Sequence, residues 1–112
     1  MKNGGTIALD IDGTITDDTH MIPQDVLDYF EMLHKNNWRF IFLTGRPFSF
    51  AQATLKALTF PYLLGVQNGA DRFLMPEGKR IGFSYLKFES VQAIDKICEG
   101  QEEDLLIYAG CE

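Results

Sequence analysis

The chain has 112 residues, 46% of them apolar, with a formal net charge of −6 and a pI near 4.8. That length allows at most one ordinary domain, burying roughly 65% of the unfolded surface, and the ten scattered basic residues exclude the clustered charge that nucleic acid or an anionic membrane would attract. The stretch before Asp10 is too short for a signal peptide or a membrane span, so the expected setting is cytoplasmic, and Cys98, Cys111, His20 and His34 lack the spacing of a disulfide framework or a Cys/His metal site.

Residues 6–10 form an apolar run that reads as a central strand, continuously apolar rather than alternating. It feeds into Asp10-Ile11-Asp12-Gly13-Thr14. Side-chain alternation puts Asp10 and Asp12 on the same side of the local backbone, close enough to share one cation, and Gly13 lets the chain turn sharply beside them. Paired acids at the carboxyl end of a strand stand where open α/β sheets place their ligands. Asp12-Gly13 taken alone is equally a turn signal. A calcium loop of the EF-hand type needs Gly at its sixth position and Glu at its twelfth; counted from Asp10, those places hold Ile15 and Met21. Neither a Walker A loop nor a dinucleotide Gly-x-Gly-x-x-Gly occurs.

Residues 13–22 are polar and without periodicity, as in an active-site loop. Over residues 23–36, Val26, Phe30 and Leu33 recur at helical spacing, with Pro23 suited to the first turn and Asn36-Asn37 to the stop. A second apolar run over 38–43 leads to Thr44-Gly45-Arg46-Pro47 and a helical pattern through Ala51, Leu55 and Leu58. A third, over 62–66, ends in Gln67-Asn68-Gly69-Ala70. Strands alternating with helices make a parallel sheet with right-handed crossovers the economical topology. Residues 72–75 and 80–85 flank Pro76-Glu77-Gly78-Lys79, which predicts a β-hairpin. Residues 90–99 place Val91, Ile94 and Cys98 on one helical face, residues 105–109 read as a last strand, and the acidic run over 99–104 reads as a solvated loop.

Asp-x-Asp-Gly-Thr after one strand, Leu-Thr-Gly-Arg-Pro after the next and Gln-Asn-Gly-Ala after the third together resemble the haloacid dehalogenase (HAD) superfamily. The Thr-Gly-Arg-Pro and Asn-Gly-Ala segments followed by a hairpin are similar to its Cof-like sugar-phosphatase branch. The resemblance implies an α/β fold: a Rossmann-like core, N-terminal part, over residues 1–86, and the beginning of an α/β cap over residues 87–112. It implies a magnesium-dependent phosphatase acting on a small phosphorylated metabolite such as a sugar phosphate. Asp10 would attack phosphorus to give an aspartyl-phosphate, as a carboxylate can once a divalent metal screens the phosphate. Asp12 would be general acid and base, and Asp10 and Asp12 together would hold Mg2+, Asp12 through its backbone carbonyl. Thr44 and the Gly45 amide would hold phosphoryl oxygens; the lesser alternative is that Thr44 simply caps the following helix. Arg46 is read either as a phosphate ligand or as the partner of a neighbouring carboxylate, Asn68 and Gly69 as substrate-side candidates or a turn and hinge, and Thr14 as ordering the nucleophile loop.

The chain departs from the family in having no Gly-Asp dipeptide, and Lys79, Lys87 and Lys96 fall in the hairpin or cap rather than after a later core strand. The expectation is an N-terminal fragment of a larger phosphatase, weakly active or inactive alone, with self-association through an exposed strand edge. The alternatives are a phosphomutase of the phosphomannomutase kind and a non-catalytic metal- or protein-binding fragment.

Overall fold

The computed structural model describes residues 3–101. Strand β1 (Gly5–Asp10) is followed by helix α1 (Gln24–Lys35), β2 (Trp38–Leu43), α2 (Phe48–Leu55) and β3 (Tyr62–Val66). A short 3-10 turn (Gln67–Gly69) leads to β4 (Asp71–Met75), β5 (Lys79–Phe83) and helix α3 (Phe88–Cys98). The five strands form one sheet in the order β1-β2-β3-β4-β5. β1, β2 and β3 are parallel neighbours, and β4 and β5 extend the sheet as an antiparallel hairpin. The expected α/β architecture, with crossover helices and a terminal hairpin, is present.

Register fixes which residues share a face, because paired residues point the same way and neighbours along a strand alternate. Leu9 pairs with Phe42, Phe42 with Leu64, and Leu64 with Phe73. On that face, Phe40, Phe42, Tyr62, Leu64, Val66, Phe73 and Met75 are all buried, and they join Phe30 and Leu33 of α1 and Ala51 and Leu55 of α2 in one core. Phe42, with no exposed surface, meets Phe30, Phe40 and Tyr62 at ring-centroid distances of 5.9, 5.7 and 5.3 Å. Complete burial of one such ring stabilises the fold by ~1.5–3 kcal/mol. Both crossover helices therefore lie on one face of the sheet. The other face carries Ala8, Leu43 and Leu63 exposed, with Ile41 and Leu74 half-buried.

β1 departs from its reading as a central strand. It is the sheet's edge among the described residues, pairing with β2 alone. Ile7 and Leu9 are half-buried and Thr6 and Ala8 exposed, because nothing described flanks its other side. α2 stops at Leu55, and Leu58 reaches the core from the turn that follows, its amide bonded to the Leu55 carbonyl. α3 buries no residue; Phe88 and Ile97 are left exposed. The strand expected over 105–109 lies outside the described residues. No helix among the described residues is long and apolar enough to cross a membrane.

Candidate active site

The three parallel strands end side by side, and main-chain hydrogen bonds continue past their ends. Ile11 N donates to Leu43 O (3.2 Å), Thr44 N to Gly65 O (3.0 Å), Asn68 N to Thr44 O (2.9 Å) and Gln67 N to Arg46 O (3.0 Å). The loops after β1, β2 and β3 are thereby laced together. Two glycines make the close approach possible. A Cβ on Gly65 would stand 2.8 Å from Leu43 Cδ2, and one on Gly45 would stand 3.1 Å from Asn68 Oδ1. Gln67 and Asn68 take left-handed φ values of 50° and 59°, unusual for residues with side chains and found chiefly where a site demands them. The turn is secured by Arg72, whose Nη1 donates to the Gly69 carbonyl at 2.9 Å.

The side chains divide into two groups at the end of β1. Asp10 accepts one hydrogen bond, from Thr14 Oγ1 to Oδ2 at 3.1 Å. Asp12 is held on both oxygens: Thr44 Oγ1 donates to Oδ2 at 2.9 Å, and Arg46 Nε stands 2.9 Å from Oδ1. Thr44 is buried, and its hydroxyl also accepts the Arg46 amide at 3.1 Å. It is not the cap of α2, a position that Pro47 takes without any side-chain hydrogen bond. The Arg46 guanidinium lies over the ring of Phe50, 5.5 Å from its centroid. Arg46 is thus paired with a neighbouring carboxylate.

The loop after Gly13 is less polar in effect than in composition, because Ile11, Ile15 and Ile22 are buried and anchor it. Gly13, at φ 78°, donates its amide to Thr16 Oγ1 at 3.0 Å. Asp17 closes the next turn. The Thr19 hydroxyl, and then the amides of Met21 and Thr19, hold its carboxyl below the usual carboxylate range.

The structure thus brings Asp12, Thr44, Gly45, Arg46 and Asn68 into one constellation, with Asp10 at the adjoining strand end. Gly69 contributes a carbonyl to the Arg72 brace and a backbone of φ 90°. Sequence reasoning missed Asp71, fully buried at the start of β4. Its Oδ2 accepts from Tyr85 Oη at 2.6 Å and Arg80 Nη2 at 2.9 Å, while Arg80 Nε lies 2.9 Å from Oδ1. This network ties the segment after β5 to the sheet, and the Ser84 amide adds a 2.7 Å bond to the Ala70 carbonyl. An Asp nine residues before an Arg carries no signal until the hairpin register is known.

As donors for a hard cation, the Asp10 carboxylate and the Asp12 main-chain carbonyl fit in kind, since magnesium takes oxygen ligands and keeps several waters. The Asp12 carboxylate is already engaged by Thr44 and Arg46. No group of three or more His, Cys, Asp or Glu side chains that could hold a metal occurs among the described residues.

The sequence profile of haloacid dehalogenase-like hydrolases matches residues 7–111. None of the curated proteins matches significantly. Among solved structures, the chain is similar to a haloacid dehalogenase-like hydrolase from B. subtilis, with a TM-score of 0.75 and 21% identity over 90% of this chain and 34% of that one. It is also similar to a HAD phosphatase from Bacteroides thetaiotaomicron, with a TM-score of 0.72 and 22% identity over 83% of this chain and 34% of that one. A subclass IIB sugar phosphatase matches with a TM-score of 0.63 and 27% identity over 84% and 36% of the two chains. The chain spans about a third of the length of these structures.

Proposed function

The chain belongs to the haloacid dehalogenase-like hydrolases, and on that premise we propose that it carries the nucleophile half of a magnesium-dependent phosphatase acting on a small phosphorylated metabolite, such as a sugar phosphate. The observation that carries this reading is the unequal treatment of two neighbouring carboxylates. Asp10 keeps one oxygen uncommitted to the hydrogen bonds described above, as a nucleophile needs, while Asp12 is steered on both oxygens.

In this reading an oxygen of Asp10 attacks phosphorus as the bond to the leaving oxygen breaks, giving an aspartyl-phosphate, and Asp12 delivers the proton that the leaving oxygen takes up. Asp12 then removes a proton from the water that attacks phosphorus, which frees Asp10 and inorganic phosphate. The Thr44 hydroxyl and the Gly45 amide bind phosphoryl oxygens, and an arriving phosphate competes with Asp12 for Thr44 and Arg46. Magnesium, held by the Asp10 carboxylate and the Asp12 carbonyl, would supply screening of the phosphate charge. Asn68, whose side chain lies close to Gly45, and Gly69 border the substrate side. In this reading residues 1–86 are assigned to the core part of the unit and residues 87–112 to the start of a cap.

Calorimetric titration of inorganic phosphate in millimolar magnesium tests the reading. Binding is expected in the native chain and weakened in Thr44→Ala and Asp10→Ala. Absent binding, or binding indifferent to both changes, would overturn it. Turnover of p-nitrophenyl phosphate by the 112-residue chain should stay near background, since the family resemblance implies a downstream Lys that neutralises the aspartyl-phosphate, which this sequence does not show after a later core strand, and loss of one such group costs about 10²-fold.

A further inference from the structure

Phe50 is left unused by the chemistry above. It stands in the first turn of α2 with 57% of its surface exposed, while the helix buries Ala51 and Leu55. Its one described ring contact of this kind is the Arg46 guanidinium, 5.5 Å from the centroid, and that guanidinium reaches Asp12 Oδ1 through Nε at 2.9 Å. A general acid must come within hydrogen-bond reach of the oxygen it protonates. If Asp12 is that acid, the leaving group sits on the Asp12 side of the phosphate, one guanidinium away from an open phenyl ring.

We propose that Phe50 is a specificity-determining residue whose ring, extended by Arg46, receives the apolar face of a ring-bearing leaving group. The favoured substrates are then phosphate monoesters of cyclic alcohols or phenols rather than of short open-chain ones. This rests on the phosphate-site reading above. Apolar contact supplies the attraction, and a flat ring face makes it selective, because stacked aromatic pairs contribute beyond the area they cover.

The test compares two non-hydrolysable probes, phenylphosphonate and methylphosphonate, titrated calorimetrically in millimolar magnesium against the native chain and Phe50→Ala. Phe50→Ala should weaken phenylphosphonate about 2- to 12-fold, the equivalent of the ~0.5–1.5 kcal/mol of a stacked aromatic pair, and leave methylphosphonate unchanged. Phe50→Trp should keep the preference. If circular dichroism shows Phe50→Ala unfolded, Phe50→Leu reads the same contrast, keeping bulk without a flat face. Phenylphosphonate binding indifferent to Phe50, or both probes weakened equally, overturns the proposal while leaving the phosphate site standing. Failure of both probes to bind the native chain overturns the phosphate-site reading and this proposal with it.

Discussion

Replacing Thr44 by Val keeps side-chain volume and deletes one hydroxyl, a change that is not isosteric in effect. Two hydrogen bonds go with it: the 2.9 Å donation to Asp12 and the 3.1 Å acceptance from the Arg46 amide. A hydrogen bond to a charged group contributes about 1.5–3 kcal/mol and a neutral one about 0.5–1.5. The Asp12 and Arg46 side chains are 31% and 43% exposed, so water replaces part of what is lost, and a net cost of about 1–2 kcal/mol is expected. For a chain of this size that lowers Tm by about 4–16 °C. Urea and thermal unfolding can be followed through Trp38, the single tryptophan, half-buried on β2. Thr44→Ser, which retains the hydroxyl, should recover most of the loss. If Thr44→Val melts with the native chain, or Ser does no better than Val, the hydroxyl does not organise the site.

Gly45→Val should drive Asn68 out of its place, because even a Cβ there stands 3.1 Å from Asn68 Oδ1; phosphate affinity should fall by about tenfold, matching a 1–3 kcal/mol overpacking cost, and native-like affinity by calorimetry would count against the close approach. Burial pushes the Tyr62 hydroxyl from 10.0 up to about 12. The folded state therefore holds this proton more tightly than the unfolded one, so the stability it contributes is complete below pH 10 and declines as pH rises toward about 12. Tyr62→Phe should flatten that alkaline decline in Tm, and identical alkaline limbs in the two proteins would refute the assignment. The edge of β1 and the apolar sheet face beside it, both uncovered among the described residues, should make the chain self-associate. Sedimentation equilibrium returning a single 12.7 kDa species at micromolar concentration would dispose of that expectation.

What was legible in the sequence was whatever depends on local pattern. The apolar runs at 38–43 and 62–66 give β2 and β3 their observed limits, and Pro23 and Asn36 bracket α1 because a fixed φ and a polar stop act locally. Asp10, Asp12 and Thr44 could be singled out because each stands at or just beyond a strand end. Arg46 could not be assigned a partner, since its carboxylate lies 34 residues away and depends on how two loops meet. Asp71 stayed hidden because a buried ion pair across a hairpin needs the register, which here shifts at Arg72/Phe73. The apolar run of β1 reads as a buried strand from composition alone. Edge or centre is decided by neighbours, and an apolar run is silent about those.

The lacing of the three loops through main-chain atoms has a consequence for how ligands bind. The Thr44 amide donates to Gly65 of β3 and its carbonyl accepts from Asn68 in the turn beyond, Ile11 is tied to Leu43 in the same way, and Asn68 is held through its main-chain N–H. The proposed phosphate site would consequently be preorganised: little chain entropy would be lost on binding an anion there, and affinity would report the contacts themselves. The amides of Thr44 and Asn68 should then exchange with solvent slowly for loop positions, as protected as the strands that precede them. Side chains around these loops can be exchanged without redrawing their outline, so in the proposed site selectivity for a leaving group would be free to change while the main-chain contacts to phosphate stay the same.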